Sequence, residues 1–102
     1  MDTGVEVSFS APYYELNKKT SFTSKSKYQT FVNWVSGEFD LYLQDEESNG
    51  ISVFFPDGNF HIKNEIENGA ITATINLESK LLEKGHLIFL KIMSVYALSL
   101  KK

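Results

Sequence analysis

Asn49-Gly50, Asp57-Gly58 and Asn68-Gly69 are dipeptides that tolerate positive φ, and all three fall within residues 49–69. Each separates two apolar-periodic runs, which is the strongest short-range signal for a β-hairpin. Three hairpin turns this close together predict a meander, and a meander limits the chain to a fold built around antiparallel strands. The flanking residues agree. Val5, Val7 and Phe9, then Phe39, Leu41 and Leu43, then Ile51, Val53 and Phe55, then Phe60 and Ile62, and finally Ile71, Ala73, Ile75 and Leu77 recur at period two. That spacing puts one row of side chains on each face of a half-buried strand.

Residues 28–35, Tyr-Gln-Thr-Phe-Val-Asn-Trp-Val, are rich in β-branched and aromatic types and stop at Ser36-Gly37, so they read as a further strand with a bend. Leu77, Leu81 and Leu82 share one side of a short helical turn near residues 78–84, with Gly85 as its stop. From Leu87 to Leu100 the chain is apolar on both faces, a pattern that fits a central strand or a buried helix. The β-branched content and Gly85 favour the strand. The resulting expectation is an all-β fold, an immunoglobulin-like β-sandwich of about seven antiparallel strands filling a single domain over residues 1–102.

The 102 residues suit one hydrophobic core, and 42% hydrophobic with 14% aromatic content is enough to build it. There is no cysteine, so disulfides, thiolate nucleophiles and Cys-based metal sites drop out together. Met1-Asp2-Thr3-Gly4 has neither a basic nor an apolar leader region, which predicts a chain that is cytoplasmic at synthesis. The apolar stretch from Leu87 to Leu100 contains Lys91 and is shorter than the ~20 residues a bilayer helix needs, so no membrane span is expected.

The net charge is -3 and unevenly distributed. Lys18, Lys19, Lys25 and Lys27 lie in an acid-free stretch, whereas residues 38–67 hold eight acids against Lys63 alone. Without a dense basic patch, nucleic acid is not an expected partner. Asp45, Glu47 and Asn49 followed by Gly50 match the opening half of a calcium loop, but the position of its closing glutamate is Pro56, so an acidic hairpin tip is the preferred reading. His61 and His86 belong to no ligand or catalytic constellation, and nucleophile-elbow, phosphate-loop and zinc-protease motifs are absent. No cofactor and no enzymatic activity are expected.

Tyr13, Tyr14, Tyr28 and Trp34 are the aromatic residues that would form a ligand face for a glycan or peptide, because such rings contribute contact area at low entropic cost. The preferred reading of Trp34 is nonetheless a core anchor, and that of the tyrosines a set of sheet-edge aromatics covering the core.

The runs Gly37-Glu-Phe-Asp-Leu-Tyr-Leu43, Gly58-Asn-Phe-His-Ile-Lys-Asn64, Glu67-Asn-Gly-Ala-Ile-Thr-Ala-Thr-Ile75 and Leu81-Leu-Glu-Lys-Gly-His-Leu87 resemble the small N-terminal immunoglobulin-like domains of phage and prophage virion proteins, among them baseplate upper and fibre-like proteins. The resemblance implies a structural or assembly module that is virion-associated and has other protein chains as partners. The apolar C-terminal run gives this a physical counterpart, with Ile92, Tyr96, Leu98 and Leu100 as candidates for an interface with a second chain. A glycan- or peptide-binding module is the alternative.

Overall fold

A computed structural model describes residues 5–67 and 69–101. The strands are β1 (Glu6–Ser10), β2 (Tyr13–Phe22), β3 (Leu43–Glu47), β4 (Gly50–Phe55), β5 (Gly58–Glu67) and β6 (Ala70–Ser79). Two helices complete the chain, α1 (Lys25–Glu38) between β2 and β3 and α2 (Leu82–Ser99) after β6. The strands make one antiparallel sheet in the order β1-β2-β6-β5-β4-β3.

The expected meander is present as β3-β4-β5-β6, and every period-two run from Ile51 onward lies on a strand. Among the described residues the strands form one sheet, not the two of a sandwich. A single sheet buries one face against both helices, so the second layer is helical. The burial pattern follows from this. Leu16, Thr20 and Phe22 of β2, Ala73, Ile75 and Leu77 of β6, Phe60 and Ile62 of β5, and Ile51, Val53 and Phe55 of β4 are buried on the helix side. Register partners such as Leu16↔Leu77↔Phe60↔Val53 line up in rows across that face.

Both helices correct a strand expectation. In α1 the buried residues Tyr28, Phe31, Val32 and Val35 recur at i, i+3, i+4 and i+7, a helical period that outweighs the β propensity of the residue types. Ser24 caps the helix by accepting a hydrogen bond from the Lys27 amide at 3.2 Å. In α2, Gly85, Ile88, Phe89, Ile92, Val95 and Ser99 form the buried stripe, while Leu87, Leu90 and Leu98 point outward. The run that looked apolar on both faces therefore has one buried face and a partly apolar outer one.

Gly85 lies inside the first turn of α2 and does not stop a helix. A Cβ there would come within 2.9 Å of the Ser79 Cβ, so the missing side chain lets α2 approach β6. Gly50 and Gly58 also work by close approach, since a Cβ on either would collide with the carbonyl oxygen of Ile62 or of Glu78. The positive φ of the β4–β5 turn falls on Asp57, at 72°. Asn68 is outside the described residues, and its neighbour Gly69 has φ 82°.

Tyr28 links α1 to the β3–β4 turn, its hydroxyl donating to the Asn49 carbonyl at 3.2 Å. Burial pushes its phenol above the usual 10.0. The fold thus favours the protonated form, a contribution fully present below pH 10 and lost as the pH rises above it. Tyr28→Phe should cost about 1 kcal/mol at neutral pH through the lost hydrogen bond. In chemical denaturation, the gap between wild type and variant should narrow above pH 10; a constant gap would contradict this.

Candidate functional site

Besides the partly apolar outer side of α2, the molecule presents a sheet face without helices and two unequal sheet edges. On the open face, the register sets mostly polar residues side by side, with apolar Phe54 and Leu43 at the β3 end. One row runs Asn17↔Asn76↔His61↔Ser52↔Asp45, and the next runs Glu15↔Glu78↔Asn59↔Phe54↔Leu43. Glu15, Asn17, His61, Asn76 and Glu78 line a trough of about 300 Å³.

The trough has a clear electrostatic character. Glu15 and Glu78 are direct cross-strand partners, and like charges in that position repel. Asn59 donates through Nδ2 to Glu78 at 3.5 Å, while its Oδ1 is buried without a hydrogen-bond partner among the described residues. The Ser52 hydroxyl and His61 Nδ1 lie 2.6 Å apart. Ser52 is only 5% exposed, and the carboxylate nearest in register, Asp45, lies beyond the serine and away from the histidine. The spatial order Asp-Ser-His does not set a carboxylate behind the imidazole, as a nucleophile relay requires.

The two edges differ in charge and apolar content. β3, at one end of the sheet, carries Asp45, Glu46 and Glu47 in five residues, the acidic guarding that discourages edge pairing. β1, at the other end, has Glu6 as its one charged residue. Val7 and Phe9 pair in register with Leu16 and Tyr14, so they point to the helix side. The packing of α2 is against β6 and β2, and Val7 remains 52% and Phe9 59% exposed. The Phe9 and Tyr14 rings pack with centroids 4.7 Å apart.

The four candidate aromatics do not share a face. Tyr13 is on the open face of β2 and Tyr14 on its helix side, Tyr28 is in the core, and Trp34 packs from α1 against the core. The calcium candidates Asp45 and Glu47 are exposed on β3, and the carbonyl of Asn49 is engaged by Tyr28 and by the Asn64 amide. No group of three acidic or histidine side chains fit to hold a metal ion occurs among the described residues.

Of the C-terminal interface candidates, Ile92 is inside the core, and Tyr96 packs against Phe22 and Phe31 and donates to the Ser21 carbonyl at 2.8 Å. Leu98 and Leu100 are exposed. Leu41, two residues ahead of β3, and the register pair Leu43↔Phe54 at the acidic edge are also exposed.

The spacing of Val7 and Phe9 marks a strand but does not mark β1 as an exposed edge. The signal was the low charge of Glu6–Ser10 beside the acid-rich β3. No family model matches the chain, and no curated protein matches it in sequence. No helix among the described residues is long and apolar enough to cross a membrane.

Replacing Glu15 or Glu78 by glutamine should relieve the cross-strand repulsion by on the order of 0.5 kcal/mol. Thermal unfolding would then rise by about 2–4 °C for a domain of this size. A fall of similar size in both variants would mean that the carboxylates are stabilised in place.

Proposed function

We propose that this chain is a non-catalytic assembly module that attaches to other protein chains through its β1 edge. The observation that carries the reading is the pairing of a sparsely charged backbone edge with two exposed apolar side chains, Val7 and Phe9, on the same strand. An edge strand offers a row of amide and carbonyl groups to a partner, and alternate side chains add specificity. Charge supports the choice between edges, because β3 would meet any acidic partner with three carboxylates.

The resemblance to phage virion domains implied attachment without catalysis, and the proposal keeps that part. The attachment surface is placed on the N-terminal strand and not on the C-terminal run, where Ile92 and Tyr96 are used in the chain's own packing and only Leu98 and Leu100 of the four candidates stay exposed. The absence of a shared aromatic face weighs against the glycan-binding alternative.

A photo-crosslinking amino acid at position 7, with the same group at position 46 as control, tests the reading in extracts of the source cell. Discrete crosslinked species at position 7 and none at position 46 are expected. Unmodified chain at position 7 would contradict it.

A further inference from the structure

We infer that the partner of β1 is the β1 of a second copy, paired antiparallel about a two-fold axis through Ser8. This rests on the assembly reading and names its occupant. A two-fold axis perpendicular to the sheet keeps the helix layers of both copies on one side, which requires residues of the same face to oppose each other. Centring on Ser8 meets that condition and uses all five residues of the strand. Glu6 then faces Ser10 of the second copy and Val7 faces its Phe9, with the reciprocal pairs completing the ladder.

Three observations favour a second copy. First, the strand is self-complementary. Its apolar residues, Val7 and Phe9, are symmetric about Ser8, so both exposed side chains gain an apolar partner on the helix side, where α2 leaves them uncovered. Second, the charges are compatible. In this register the two Glu6 residues are four positions apart along the strands, about 14 Å at ~3.4 Å per residue. That separation exceeds the ~8 Å screening length of physiological salt, so two copies that are each acidic avoid close repulsion at the contact.

Third, the opposite edge does not offer the same solution. Self-pairing of β3 about Asp45 would set Asp45 against its own copy and Leu43 against Glu47. Head-to-tail pairing of β1 with β3 would bring Glu6 to a strand holding Asp45, Glu46 and Glu47, and would grow an open filament. Of these three pairings, the β1 pair is the one that gives a closed assembly without directly opposed carboxylates. Its product is a twelve-stranded sheet, from six strands in each copy, with both helix layers on one face and both polar troughs on the other.

The chain contains no cysteine, so an introduced one reports on a single site. In the paired state the two Ser8 positions face each other at ~4.5–5.5 Å between Cα atoms, within disulfide reach. Ser8→Cys should therefore oxidise to a covalent dimer, and Leu43→Cys on the other edge should not. Light scattering after size exclusion should give twice the 11.6 kDa chain mass for wild type at high concentration. Phe9→Glu should weaken the association at least about tenfold while keeping wild-type circular dichroism, since the side chain is mostly exposed.

A mass of one chain at every concentration together with no Ser8→Cys crosslink would overturn the inference. So would a dimer that crosslinks through Leu43→Cys, or growth to large species. If the chain is monomeric and position 7 still crosslinks to a different protein, self-pairing fails while the assembly reading stands. If neither forms, both fall.

Discussion

The insertion of β6 between β2 and β5 is the constraint on which the rest of the structure depends. It pairs with β2 from Tyr14↔Ser79 to Phe22↔Ile71 and with β5 from Gly58↔Ser79 to Glu67↔Ala70. The N-terminal hairpin and the C-terminal meander become one sheet only through that strand. Its helix-side residues Ala73, Ile75, Leu77 and Ser79 are fully buried. Gly85 then lets α2 settle onto the same strand, with the Ser79 hydroxyl donating to the Leu81 carbonyl at 2.7 Å where the chain turns into the helix. Sheet closure and helix docking thus share one element.

Because both helices are spent on one face, the molecule is left with a polar face and two edges. The polar face is consistent with its composition. Asparagine, threonine, glutamate and histidine alternate with the core residues along β2, β5 and β6, as expected of an antiparallel sheet covered on one side. The two edges are protected unequally, β3 by three acids and β1 by one. An edge with a single charge and with exposed apolar side chains is a liability unless something covers it.

The meander was legible because turn chemistry and period two agreed over Asn49 to Leu77. Even there, two of the three glycines serve a different purpose from the one their dipeptides advertise, since Gly50 and Gly58 admit neighbouring backbone. The helices were misread where residue type and spacing conflicted. Phe31, Val32 and Val35 have β-prone side chains at helical positions, and burial against the sheet decided for spacing. In α2 the outward Leu87, Leu90 and Leu98 masked the period by filling the second face. The β1 edge was hidden for another reason. Exposure there depends on how far α2 reaches across the sheet, which no local pattern encodes.

Residue-resolved amide exchange at low and high protein concentration tests the account most directly. The account predicts the slowest exchange in β5 and β6 at both concentrations, and fast exchange in β1 that slows as concentration rises. A β1 as protected as β6 in dilute solution, or unchanged between the two conditions, would contradict it.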